Sequence, residues 1–103
     1  MVPLITDRAL DDLNALWDEL NAFNREYANR TIESLVDNIL RLDQFPEAHP
    51  VVSSEGGFAI RRLNVGVWAV FYAIEQGRPT VIRVVSGRRD LGPILANLDP
   101  PTT

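Results

Sequence analysis

An α+β fold, in which a helical hairpin packs on an antiparallel sheet, is predicted by two periodicities and one break in composition along these 103 residues. From Leu10 to Phe45 apolar residues recur at threes and fours, the period of a helix. Between Pro46 and Gly57 the chain turns to Pro, Ser and Gly, the composition of a loop. Beyond it, short runs rich in β-branched and aromatic residues, separated by Gly and Pro, predict strands.

The elements follow in order. Val2 to Ile5 is a short apolar opening suited to an edge strand, and Thr6 or Asp7 is placed to cap the helix after it. That helix carries Leu10, Leu13, Leu16, Trp17, Leu20, Phe23 and Tyr27 at helical spacing, with Asp11, Asp12, Asp18 and Glu19 on its other faces. Around Phe23 to Asn29 the pattern becomes polar, and Asn29 or Thr31 is expected to cap a second helix bearing Ile32, Leu35, Val36, Ile39, Leu42 and Phe45. Pro46 closes it. Two amphipathic helices joined by a short polar turn read as an antiparallel hairpin that must bury its apolar stripe on another layer. Phe58–Leu63, Val67–Ile74 and Thr80–Ser86 are expected as three hairpin-linked strands, with turns at Asn64–Gly66 and Gln76–Pro79. Val67–Ile74 is apolar on both alternating faces, which places it centrally and covered on both sides. One cover is the helical hairpin; Leu91–Leu98, a second subunit or a bound partner can supply the other. The whole of 1–103 reads as one domain, with a frayed Pro and Thr tail at 99–103.

Composition narrows the chemistry. Apolar residues make up 46% of the chain and charged residues 23%, the balance of an ordinary globular domain. Without cysteine there is no thiol catalysis, thiolate metal site or disulfide framework, and a reducing, cytoplasmic setting is the default. The N-terminus lacks a basic start followed by an apolar run, so no signal peptide is expected. The longest strongly apolar stretch, Val65–Ile74, is far shorter than the ~20 residues of a membrane crossing.

Net charge is −4, which argues against nucleic-acid binding by the chain as a whole. The charge is nevertheless split: residues 1–57 hold eleven acids against four arginines, and residues 58–103 three acids against six arginines. All ten basic residues are arginine, planar forks that stay protonated and do not serve as tunable bases.

Few residues offer catalytic chemistry. The single histidine, His49, lies in the Pro-rich loop without a second histidine or a base-orienting partner and reads as exposed. Asp7, Asp11, Asp12, Asp18 and Glu19 have the spacing of a helical metal face but read as solvated surface, the first three also suiting a positive helix N-terminus. Gly56-Gly57 has no phosphate-loop pattern around it and reads as a turn. No metal or cofactor is expected. Trp68 and Tyr72 share a face of the central strand and read as core.

The arginines carry more. Arg61 and Arg62 are adjacent in a strand and point to opposite faces, Arg83 lies among valines, and Arg88-Arg89 follows directly. Arginine inside a half-buried strand requires an ion-pair partner or a binding role. For Arg83 and one of Arg61 and Arg62 both remain open; Arg89 beside Asp90 can also pin the strand end, or either of Arg88 and Arg89 can pair with acids of the helical hairpin.

The order of two helices, Ile39-Leu40-Arg41-Leu42, Phe45-Pro46-Glu47, a loop, Arg61-Arg62-Leu63, Gly66, Val70-Phe71-Tyr72 and Arg83-Val84-Val85-Ser86-Gly87-Arg88-Arg89-Asp90 resembles the ParE/RelE superfamily of toxins from bacterial toxin–antitoxin modules. The likeness covers nearly the whole chain and is greatest to the ParE branch, whose last strand commonly reads R-V-L-H-x-R-R-D; Ser86 stands where many members carry histidine. It implies a twisted antiparallel sheet under a helical hairpin, with the first strand at an edge. It also implies a cognate antitoxin whose disordered segment folds across apolar and arginine surface, in a hetero-oligomer or beside a toxin homodimer.

Two activities compete within that resemblance. ParE-like members are binding inhibitors associated with DNA gyrase and need a contact surface, here Arg61, Arg62, Arg83, Arg88 and Arg89. RelE-like members are ribosome-dependent messenger RNA endonucleases, for which the candidates here are Arg61, Arg83, Arg89 and Tyr72. The absence of lysine, the placement of His49 and a pI near 4.8 favour the ParE-like reading. A non-toxic interaction module on the same fold is the third reading.

Overall fold

The computed structural model describes residues 2–98, and the tail at 99–103 expected to fray lies outside the described residues. The element order is β1 (Leu4–Ile5), α1 (Asp7–Asn21), α2 (Arg25–Leu40), a 3-10 turn (Arg41–Asp43), β2 (Val51–Ser53), a second 3-10 turn (Glu55–Gly57), β3 (Ile60–Val65), β4 (Trp68–Glu75), β5 (Arg78–Ser86) and α3 (Gly92–Ala96). No helix among the described residues is long and apolar enough to cross a membrane.

Thr6, not Asp7, caps α1. Its Oγ1 accepts the Ala9 N–H at 3.2 Å, its own N–H donates to the Val81 carbonyl, and its hydroxyl reaches the Ile82 carbonyl, so one residue both starts the helix and ties it to β5. The helical period running on to Tyr27 overstates α1, which stops at Asn21. Asn24, extended at φ −159°, caps α2 by accepting the Tyr27 N–H at 3.0 Å, so this helix begins earlier than Asn29 or Thr31. Asn29 instead accepts the Trp17 indole N–H at 2.9 Å and bridges the two helices. At its other end α2 tightens into the 3-10 turn that buries Leu42, and Pro46 stands beyond it.

The strands form one five-stranded sheet in the order β1-β5-β4-β3-β2. Every pair is antiparallel except β1–β5, so the sheet is mixed where a wholly antiparallel one was expected. No hairpin joins β1 to β5, and nothing local therefore imposes antiparallel pairing on them. The Arg78 guanidinium ties the same edge by donating from Nε to the Val2 carbonyl at 2.7 Å. β2 falls within the segment read as loop; both of its valines are exposed, and β3 alone pairs with it. The β4–β5 turn is Gln76-Gly77, with positive φ at both residues, as a two-residue type I′ hairpin demands. Pro79, expected in that turn, lies instead near the start of β5 opposite Ile74.

β4 is central, and Ala69 to Ala73 are buried on both of its faces. On one face Leu63, Val70, Tyr72, Val81 and Val84 meet Ala9, Leu13, Leu16, Leu35 and Ile39 of the helical hairpin. On the other, Ile60, Phe71, Ile82 and Val85 are covered by half-buried Leu91, Ile94, Leu95 and Leu98, so the C-terminal segment supplies the second cover.

Candidate functional site

The arginines are distributed over three places, each set by strand register. Opposite-facing neighbours Arg61 and Arg62 pair across β3–β4 with Tyr72 and Phe71, and Arg83 pairs with Phe71 from β5. A bulge in β5 at this point sets Tyr72 against Val81, so Ile82 has no partner on β4.

The first place is a latch on the loop after α2. Arg61 Nη1 donates to the carbonyls of Glu47 at 3.0 Å and His49 at 2.7 Å, and the Tyr72 hydroxyl donates to the Pro46 carbonyl at 2.5 Å. The Arg62 N–H completes it by donating to the Pro50 carbonyl. His49 packs its ring edge-on to Tyr72, at 6.2 Å between centroids, and is half-buried where an exposed loop position was expected. Burial pushes the Tyr72 phenol above its ordinary pKa of 10.0, and the Arg61 charge offsets part of that rise. Tyr72 has no solvent exposure, in keeping with a core role.

At the second place α1 crosses the edge of β5 beyond its short pairing with β1. Asp12 accepts from Arg83 Nε at 2.8 Å and from Arg83 Nη2 at 3.3 Å, and its Oδ2 also accepts the Val84 N–H at 2.9 Å. Both side chains of the ion pair are largely buried, at 15% and 13% exposure. The open choice for Arg83 is thus resolved toward an internal ion pair. Asp12 is no solvated surface group, unlike the exposed Asp7, Asp11, Asp18 and Glu19. Its partner was missed, yet a signal existed: Asp12 lies three residues after buried Ala9 and four before buried Leu16, inside the stripe facing the sheet.

The third place is the turn after β5. Gly87 N–H donates to the Val67 carbonyl at 2.7 Å, Arg89 N–H to the Ser86 carbonyl at 3.2 Å, and Arg88 N–H to Ser86 Oγ at 3.3 Å. Gly87 is required by close approach, since a Cβ there would stand 2.9 Å from Arg62 Nη2 and 3.1 Å from the Val67 carbonyl oxygen. Arg62 also donates from Nε to Asn64 Oδ1 at 2.7 Å and lies 6.0 Å from the Phe71 ring centroid. Arg88 and Arg89 are exposed, and their side chains have no partner among the described residues. Asp90 accepts the Gly92 N–H and does not pair with Arg89. A groove of about 500 Å³ runs from this turn along α1, lined by Asp12, Leu16, Glu19, Trp68, Ser86 and Arg89 among others.

The five arginines proposed as one surface are therefore not equivalent: Arg62, Arg88 and Arg89 meet at one turn, whereas Arg61 and Arg83 bond elsewhere within the fold. The set considered for RNA cleavage, Arg61, Tyr72, Arg83 and Arg89, is spread over all three places. No group of three His, Asp or Glu side chains suited to a metal occurs among the described residues.

Residues 4–91 match the family model of the ParE toxin of the type II toxin–antitoxin system parDE. Among solved structures, a chain of the chromosomal ParDE TA system from P. aeruginosa is similar at a TM-score of 0.72 and 19% identity, over 84% of this chain and 95% of that one. That likeness establishes the fold. No curated protein matches the chain.

Proposed function

This chain belongs to the ParE toxin family of type II toxin–antitoxin systems, and from that premise we propose that it arrests growth by binding a target protein, DNA gyrase, and is neutralised by a cognate antitoxin. The observation that carries the binding-inhibitor reading is the fate of the groups an RNA-cleaving site would need. Tyr72 is fully buried with its proton committed to the Pro46 carbonyl, and Arg83 is bonded to Asp12. Neither is presented to a phosphate. A contact inhibitor requires only exposed groups on a held backbone, and the Ser86–Arg89 turn offers two arginines of that kind.

The antitoxin would fold across surface such as the exposed Leu10, Leu40 and Phe45, where burying apolar side chains offsets the entropy of ordering its segment. Induction of the gene in a bacterial host, scored in one culture for the DNA damage response and for transcript integrity, tests the proposal. Growth arrest with an induced response and intact transcripts is expected. Rapid transcript cleavage without that response would overturn it.

A further inference from the structure

We infer that the Ser86–Arg89 turn binds the phosphodiester backbone of nucleic acid, with Arg88 and Arg89 as the contacting cations and Arg62 as the charge behind them. This deepens the proposed function: it rests on reading the two exposed arginines as contact residues, and it assigns them a nucleic acid contact beside the protein target. Whole-chain charge argues against such a partner, but charges are screened beyond ~10 Å in 0.1 M salt, and at the turn Arg62, Arg88 and Arg89 outnumber the nearby Asp90 and Glu19, Asp12 being paired with Arg83.

Three observations converge. The turn is rigid before any partner arrives, since Gly87, Arg88 and Arg89 all donate their N–H groups internally and Gly87 is held against Val67 and Arg62. Arg88 and Arg89 therefore project from a fixed backbone and lose little freedom there on binding. Next, the turn itself offers charge rather than apolar surface: Ser86, Gly87, Arg88, Arg89 and Asp90 include no apolar side chain, and in the groove beside it Leu16, Val84 and Val85 are buried and Trp68 is half-buried. An acidic protein segment gains little from solvent-exposed ion pairs alone. A phosphate backbone, by contrast, derives affinity from cations alone by releasing its condensed counterions. Last, strand addition is hindered at the outer edge of β5, where the Ser86 carbonyl is taken by the Arg89 N–H and the Val84 N–H by Asp12. The turn itself then offers a pair of exposed guanidinium forks.

The test is fluorescence anisotropy of the purified full chain with three labelled probes: a 30-base-pair DNA duplex, an RNA single strand of 30 nucleotides, and a glutamate-rich peptide. The unaltered protein is expected to bind a nucleic acid probe at 50 mM salt and to lose roughly 10- to 40-fold in affinity at 200 mM, as two or three phosphate contacts require. The tighter of the two nucleic acid arms identifies the source of the phosphates. R88A/R89A should lower the log–log salt slope by about two, while R88K/R89K should retain most of the binding, because lysine also serves phosphate as a point charge. Circular dichroism confirms that both variants are folded. Failure to bind either nucleic acid at 50 mM, an unchanged slope in R88A/R89A, or equal affinity for the peptide would overturn the inference. Growth arrest scored in parallel keeps the two readings apart: a toxic protein that binds no nucleic acid sinks this inference alone, and a nucleic-acid-binding protein that arrests nothing sinks only the proposed function.

Discussion

Arg61 and Arg83 lie on the same sheet as the turn carrying Arg88 and Arg89, and the two pairs have opposite fates. Within the sheet each guanidinium is half-buried and bonded inside the protein, Arg61 to two loop carbonyls and Arg83 to Asp12. Past the end of β5 the guanidinium groups are exposed, while the backbone beneath them carries the hydrogen bonds. The difference teaches that residue type does not decide role here. A strand position forces the charge to find a partner inside the protein, and a turn position leaves it free for one outside.

Asp12→Ala is the hardest test of that contrast. It strands the Arg83 charge and leaves the Val84 N–H without its acceptor, and a loss of about 3 kcal/mol in urea denaturation is expected. A loss below about 1 kcal/mol would mean that the pair is not structural. Arg61→Met removes two charge-assisted bonds to the loop and should cost about 2 kcal/mol, read in the same assay. The expected companion is faster proteolysis within residues 46–50.

Tyr72→Phe should cost about 1 kcal/mol at neutral pH, because one hydrogen bond to Pro46 is lost while the ring remains packed. It also sharpens the comparison through pH. The folded protein holds the Tyr72 proton to a higher pH than the unfolded chain does, so the stability linked to that proton is complete below pH 10 and declines as pH rises through the raised folded value. Melting temperatures measured from pH 8 to 12 should therefore fall more steeply in the unaltered protein than in Tyr72→Phe. Parallel curves would show that the phenol is not held in its neutral form. The smallest effect on stability belongs to Arg88→Ala and Arg89→Ala, each expected within about 0.5 kcal/mol of the parent. Their growth-arrest activity should nonetheless be lost. Retained arrest in both would remove the turn from the contact surface.

Much of the architecture was legible because it depends on local periodicity. The alternation in Val67–Ile74 placed β4 at the centre, and the threes and fours of α1 and α2 located the hairpin. The junction was misplaced because Phe23 continues the apolar pattern although it is 86% exposed, while Asn24 ends it by capping. β2 escaped notice because a three-residue edge strand with both valines exposed has no inward face to betray it. For the site, the split of charge and the cluster at residues 83–89 were visible in the chain. The pairing of Asp12 with Arg83 was not, since 71 residues separate them.

The sequence by itself determined which segments are helical, which strand is central, that the cations are all arginine, and that they concentrate in the second half. These properties follow from side-chain period and composition, which act over a few residues. Only the tertiary structure decided which arginines are internally bonded and which remain exposed. That outcome turns on a bulge in β5, on α1 crossing its edge at Asp12, and on Gly87 closing against Val67, and each of these juxtaposes groups that are distant along the chain.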